Sequence, residues 1–459
     1  MEAIEFGTDG WRATLDVFTA ERVRAVGQAV ATYLDDEAVA GAVAVGYDAR
    51  ETSRGFAEEL ARVICATGRD VLLPERDCPT PLVAWAIQDR DLAGALVVTA
   101  SHNPPEYNGV KFIPSDGAPA LPAVTDAIEA RLAEPSPRPE AEWGRVHEVD
   151  FVTPHADHAL ELVDGSLDGL TVAYDAMHGS GRGVTDALLE RAGADVRRLR
   201  CDRDPDFGGV PPEPSEDHLT ALIETVESGP ADLGIANDGD ADRLAVVTPE
   251  GFLDENLFFA AIYDYLLEEA SGPAVRTVST TYLIDRIADA HGEQTIEVPV
   301  GFKWVAGAMA EHDALIGGEE SGGFTIRGHV REKDGVLMAL LAATAAADQP
   351  LEDRVRGLLE RFGEVHQDKV SVACPDDRKA AVVDGLSDTL PTEIGGVGVE
   401  SVNDADGFKI VLDDGSWLLV RPSGTEPKLR IYAEGSTPAR VSALLSAGET
   451  LVEPHLDVA

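Results

Sequence analysis

Thr99-Ala-Ser-His-Asn-Pro-Pro-Glu-Tyr-Asn-Gly-Val-Lys-Phe112 follows directly on the apolar run Gly94-Ala-Leu-Val-Val98, and the junction of the two decides how the chain is read. A short apolar run that stops at polar residues and two prolines reads as a buried strand breaking into a turn. Ser101 is therefore expected at the exposed carboxyl end of a strand, where open α/β sheets bind their ligands. His102 adjoins it, and Lys111 returns within a second strand-like piece, residues 109–113. A hydroxyl with an imidazole and an ammonium nearby has the parts for nucleophilic phosphoryl or acyl transfer. The same residues could form only a turn, with Ser101 and Asn103 bonding local backbone, so the decision passes to the rest of the chain.

Before that junction, residues 42–48 read as an apolar strand and residues 51–67 as a helix with Phe56, Leu60, Val63 and Ile64 on one stripe. A strand at 71–73 and a helix at 81–89 follow. The unit then recurs. After a proline-rich linker at 134–140, a strand at 170–175 leads into the glycine loop Gly179-Ser-Gly-Arg-Gly183, and a strand at 231–236 delivers Asn237-Asp-Gly-Asp-Ala-Asp-Arg243. A third copy has strands at 274–279, 295–298 and 313–316, the last delivering Gly317-Gly-Glu-Glu-Ser-Gly-Gly323. From about 366 the pattern changes to alternating strands with a hairpin turn at Asp413-Asp-Gly-Ser416, closed by an amphipathic helix from Pro438. The expected fold is thus three similar α/β domains, 1–140, 141–250 and 251–365, whose loops could face one cleft, followed by an α+β domain, 366–459.

The 459 residues carry a formal charge of −46, and lysine stands at only seven positions: 111, 303, 333, 369, 379, 409 and 428. An acidic, lysine-poor surface suits a protein adapted to high salt, which screens self-repulsion. It argues against a broad basic face for nucleic acid or an anionic membrane. The four cysteines are far apart, with no Cys-x-x-Cys, so neither a zinc site nor a disulfide framework is expected. The first residues lack the pattern of a signal peptide, and the apolar run 336–347 is too short to span a bilayer and reads as a buried helix. A cytoplasmic, soluble protein is expected.

Three loops besides the first carry chemistry. Asp238, Asp240 and Asp242 alternate, so their carboxylates can converge on one hard cation. A calcium hand would need glycine where Arg243 stands, and Mg²⁺ with room for a phosphate oxygen fits better. The 179–183 loop departs from the dinucleotide fingerprint at Val184. Glu319 and Ser321 offer acceptors for sugar hydroxyls. Arg421, Ser423, Gly424 and Thr425 offer a guanidinium fork, hydroxyls and backbone N–H groups for a phosphate dianion. The opening turn 6–12, ending on Arg12, adds a further basic group.

Together the four loops, TASHNPPEYNGVKF, DGDADR, GEESGG and RPSGTEPKLRIY, resemble the α-D-phosphohexomutase family, in its order and spacing and over the whole chain. The resemblance implies a heart-shaped protein of four domains. It also implies a phosphoryl group on Ser101, and Mg²⁺ on that phosphoserine with Asp238, Asp240 and Asp242. Lys111 resembles the family's general acid/base and Arg12 its basic partner, with His102 assisting and Arg243 bracing the metal loop. Lys303, Glu319, Ser321 and Lys333 would bind the sugar, and Arg421, Ser423, Gly424, Thr425 and Arg430 the distal phosphate. The sugar loop, with the 298–303 and Arg331-Glu-Lys-Asp-Gly335 stretches, is closest to the glucose enzymes. The mannose/glucose and glucosamine enzymes resemble GEMSGH and GEQSGH, where Gly323 stands here for the histidine. The implied activity is interconversion of glucose 1-phosphate and glucose 6-phosphate, with glucose 1,6-bisphosphate as intermediate and activator, by a monomer or small homo-oligomer. A phosphomannomutase or phosphoglucosamine mutase is the near alternative. A sugar-phosphate phosphatase and a non-catalytic sensor belong to other classes.

Overall fold

The computed structural model describes residues 4–7, 10–387, 389–424 and 426–456. Among these residues the strands form four sheets in chain order. The first contains β1 (Trp11–Thr14), β2 (Val43–Tyr47), β3 (Val71–Pro74), β4 (Gly94–Val98), β5 (Tyr107–Pro114) and β6 (Val146–Val149), in the order β1-β5-β4-β2-β3-β6. Every residue of β2 and β4 is buried, as expected of parallel strands covered on both faces. β6 pairs with β3 beyond the 134–140 stretch, so the first sheet runs past residue 140.

The second sheet, β7 (Thr171–Asp175), β8 (Asp195–Leu199), β9 (Leu233–Asn237), β10 (Leu244–Thr248) and β11 (Gly251–Leu253), has the order β11-β10-β9-β7-β8. The third, β12 (Ala274–Thr277), β13 (Thr295–Val298), β14 (Ile316–Gly318) and β15 (Phe324–Ile326), has the order β13-β12-β14-β15. The three units share one device. A strand that pairs in parallel on one side turns back into an antiparallel neighbour, β4 to β5, β9 to β10 and β14 to β15. The polar loops at Ser101, Asp238–Arg243 and Glu319–Gly323 are these reversals. In the first of them Val97 faces Lys111 across the ladder, which explains how an ammonium ten residues downstream comes back beside the serine loop.

The helix Gly335–Asp348 is apolar around most of its circumference and buried from Gly335 to Ala345. It packs on the helix Thr185–Arg191 and on β9 and β10 of the second unit, and on the helix Glu255–Glu269 and β15 of the third. One hydrophobic cluster accordingly runs through all three units. The fourth sheet is antiparallel: β16 (His366–Ala373), β17 (Glu393–Ile394), β18 (Val397–Asn403), β19 (Phe408–Leu412), β20 (Trp417–Pro422) and β21 (Lys428–Gly435), in the order β16-β21-β20-β19-β18-β17. It has its own core, closed by the helix Pro438–Leu456. No helix among the described residues is long and apolar enough to cross a membrane.

Candidate active site

Ser101 is 1 % exposed, against the expectation of an exposed strand end. Its backbone sits at φ +50°, a left-handed conformation that a non-glycine residue holds only when its surroundings enforce it. They do so here through a charged scaffold at the end of β2. The Ser101 N–H donates to Thr99 Oγ1 (2.8 Å), and the Thr99 hydroxyl donates to Asp48 Oδ2 (2.7 Å). Asp48 is ion-paired with Arg50 (3.0 Å), both side chains being fully buried. Arg50 in turn donates to the carbonyls of Ser101 (2.9 Å), Asn103 (2.6 Å), Pro104 (2.6 Å) and Tyr107 (3.1 Å). One guanidinium thus holds the loop at four points.

The Ser101 hydroxyl donates to Asp238 Oδ2 at 2.7 Å, crossing from the first unit to the second. Asp238, Asp240 and Asp242 are buried, each placing a carboxylate oxygen within 4.8 Å of the others. Burial, with Asp240 and Asp242 alongside, pushes the Asp238 carboxyl well above the usual carboxylate range. Asp242 Oδ1 is buried without a hydrogen-bond partner among the described residues. Converging, desolvated carboxylates of this kind fit a hard divalent cation, which supplies the charge that the loop lacks. Two lysines also converge: Lys111 Nζ lies 3.4 Å from Asp240 Oδ2 and 3.2 Å from Asp242 Oδ2, and Lys333 Nζ lies 3.3 Å from Asp242 Oδ2. The Arg243 N–H donates to Asp238 Oδ1 (3.2 Å). The contact between the serine and acidic loops is so close that a Cβ on Gly239 would fall 2.6 Å from the Ser101 carbonyl.

His102 Nδ1 is 3.3 Å from Ser101 Oγ. The Arg243 charge, burial and Arg12 push its imidazole down to about 2, so it stands neutral. Arg12 reaches the same loop through Asn103 Oδ1 (3.2 Å). At the third loop, Glu319 Oε1 accepts from the Gly301 N–H (2.9 Å), and burial lifts its carboxyl to about 7 against the pull of Lys333. Ser321 is exposed and Lys303 half-buried.

The fourth loop is a separate assembly on the last domain. Arg421 Nε donates to Asp406 Oδ2 (2.9 Å), which also accepts from the Val300 N–H of the sugar side (3.1 Å). Ser423 is buried, Gly424 is exposed, and Arg430 pairs with Glu426 (2.8 Å). Lys379 Nζ holds the loop by donating to the carbonyls of Ser423 and Glu426, each at 2.6 Å. Thr425, expected to contribute a hydroxyl here, lies outside the described residues.

The serine, aspartate and lysine groups therefore meet at one point, whereas the 421–430 groups form a second pole. Sequence reasoning missed Asp48, Arg50, Lys379 and Asp406. The first two had a signal, since Asp48-Ala-Arg50 ends an apolar strand just as the chosen loops do. Lys379 had another, as one of few lysines in an acidic chain.

The chain is similar to known proteins along almost its whole length. Profiles described as phosphoglucomutase/phosphomannomutase domains match in order: alpha/beta/alpha domain I at residues 3–138, domain II at 153–251, domain III at 254–362 and the C-terminal domain at 370–447. A probable phosphoglucosamine mutase of Methanothermobacter thermautotrophicus is 34 % identical over 94 % of this chain and 94 % of its own. A phosphoglucomutase/phosphomannomutase of Thermococcus kodakarensis is 32 % identical over 98 % of this chain and 99 % of its own. The crystal structure of a candidate phosphomannomutase from Thermus thermophilus superposes with a TM-score of 0.85 at 31 % identity, covering 98 % of this chain and 99 % of that one.

Proposed function

The chain belongs to the phosphoglucomutase/phosphomannomutase family and is a phosphohexomutase, and on that footing we propose that it interconverts glucose 1-phosphate and glucose 6-phosphate through phosphoserine 101. The observation that carries this reading is the 2.7 Å bond from Ser101 Oγ to Asp238, set among three buried carboxylates and two lysines. Phosphoserine 101 gives its phosphoryl group to the free sugar hydroxyl, so that the serine P–O bond breaks as the sugar P–O bond forms. The resulting bisphosphate turns over in the cleft, and Ser101 recovers the other phosphate. Lys111 takes the proton of the attacking hydroxyl and passes it to the departing Ser101 Oγ, while Lys333 faces the charge that spreads over the transferring oxygens. Asp238, Asp240, Asp242 and phosphoserine 101 would hold Mg²⁺, which when bound would add positive charge beside the transferring group. Arg421, Ser423, Gly424, Thr425 and Arg430 hold the phosphate not in transfer, and Lys303, Glu319 and Ser321 read the sugar.

The choice of glucose is supported by Gly323. A Cβ there would fall 2.4 Å from Lys333 Cδ, so the lysine stem occupies the space in which a histidine would have to grow. The mannose and glucosamine readings keep their support from the names of the relatives. A coupled assay over glucose, mannose and glucosamine 1-phosphates tests the choice. Glucose 1-phosphate should give the highest kcat/KM, and a higher value for either of the others would replace it as substrate. The acidic, lysine-poor composition further supports a protein that works in high salt.

A further inference from the structure

Thr80 lies in the first unit, far in sequence from each of the loops above, yet it touches a carboxylate of the second. It opens the helix Thr80–Asp89 behind Pro79 and is fully buried. Its hydroxyl donates to Asp240 Oδ2 at 2.6 Å, and its N–H donates to the Asp240 carbonyl at 3.0 Å. The segment that presents it is fastened to the second unit. Asp77 makes a bidentate pair with Arg182 (2.6 and 2.7 Å), and Arg76 donates to the Arg182 carbonyl (2.9 Å). Arg182 belongs to the glycine loop 179–183 that had no assigned role. That loop is itself tied to the metal loop, with the Ser180 N–H donating to the Gly239 carbonyl (3.0 Å).

We propose that Thr80 is a positioning residue for the divalent cation, fixing the rotation of the Asp240 carboxylate so that it addresses the metal. The inference rests on the reading of Asp238, Asp240 and Asp242 as the cation site and is independent of which sugar is bound. A partner that orients a ligating carboxylate governs metal affinity without touching the metal itself. A docking role alone would instead be expressed in stability, and would be served by the N–H bond and the Asp77–Arg182 pair.

The test is Mn²⁺ titration of the sugar-free protein, with free ion read by electron paramagnetic resonance. Thr80→Val keeps shape and the N–H bond but removes the hydroxyl, and Thr80→Ser keeps the hydroxyl. Thr80→Val should weaken Mn²⁺ binding by ~10–100-fold, while Thr80→Ser stays close to the unsubstituted protein and the melting temperatures of all three remain similar. If the valine form is insoluble, Thr80→Ala carries the same expectation. Undiminished affinity in Thr80→Val, or equal weakening in Thr80→Ser, would overturn the proposal alone. An unsubstituted protein that takes up no Mn²⁺ would overturn the cation site itself, and the proposal with it.

Discussion

Ser101 Oγ and Asp238 Oδ2, 2.7 Å apart and both buried, join the serine loop of the first α/β unit to the acidic loop of the second. Asp238 is held above the usual carboxylate range by burial and by its two acidic neighbours. Three carboxylates this close repel one another, and a divalent cation bound among them would relieve that repulsion.

Removing one of those charges should uncouple stability from function. Asp238→Asn is expected to melt at or above the unsubstituted protein in EDTA, because repulsion falls. It should gain little from Mg²⁺, whereas the unsubstituted protein gains ~3 kcal/mol at a hundredfold excess of ion over its dissociation constant. Turnover should be almost lost. Differential scanning calorimetry with and without Mg²⁺ measures this, and equal Mg²⁺ stabilisation of both proteins would count against the site.

Arg50 is predicted to matter as much as residues that touch substrate. Arg50→Ala should cost about 3–5 kcal/mol by leaving Asp48 buried without its partner. Arg50→Lys keeps the charge but cannot reach four carbonyls. It should fold and still lose ~100-fold in kcat, the scale of a small misplacement of a reacting group. Wild-type kcat in Arg50→Lys would show that the serine loop holds its shape unaided.

Lys379 tests the distal pole. Lys379→Met should raise KM by ~10-fold and also lower kcat, since remote binding energy is used for orientation. The serine site should still accept a phosphoryl group, measurable as incorporation of label from glucose 1,6-bisphosphate. An unchanged KM would remove the 421–430 loop from substrate binding.

The division between what could and could not be read in the sequence follows from the range of the interactions. Strand-to-loop junctions at Ser101, Asp238 and Glu319 are local, and so are the apolar runs before them. The return β5 is legible as the strand-like piece 109–113, whereas β10 and β15 are harder to see, because three- to five-residue strands share their pattern with loop edges. Burial was misjudged for the same reason. Ser101 was expected at an exposed strand end, yet its partner Asp238 comes from more than a hundred residues away, and the other partners of that acidic run, Thr80 and Lys111, are as remote from it. Scarcity was the overlooked signal. Lys409, fully buried, pairs with Glu297 at 2.7 Å, with its Nζ 4.0 Å from the Tyr282 ring centroid and 4.4 Å from that of Trp417.

Acid should weaken the junction of the three α/β units. Asp334 caps the helix Gly335–Asp348 and accepts from His155 (2.7 Å) and His329 (2.8 Å), with His158 stacked on His329 and on Trp85. Burial alone would raise Asp334, but the two histidines hold it well below the usual range, and burial depresses His329 and His158. The signs agree. The histidine contribution is complete above the unfolded value of about 6.5, and that of Asp334 above about 4. Each is lost as pH falls through its depressed folded value. The melting temperature should therefore hold above about pH 6.5 and drop as pH falls below it, and His329→Gln, which keeps a donor but does not titrate, should drop less. Equal drops would place the acid sensitivity elsewhere.

As a mutase, the protein should return the phosphoryl group of Ser101 to sugar and not to water. The direct measurement mixes the protein, Mg²⁺ and glucose 1-phosphate, and follows glucose 6-phosphate and inorganic phosphate together. Glucose 6-phosphate should form rapidly, faster still with added glucose 1,6-bisphosphate, with phosphate a slow leak and Ser101→Ala nearly inactive. Phosphate released as fast as glucose 6-phosphate forms, or full turnover by Ser101→Ala, would contradict it.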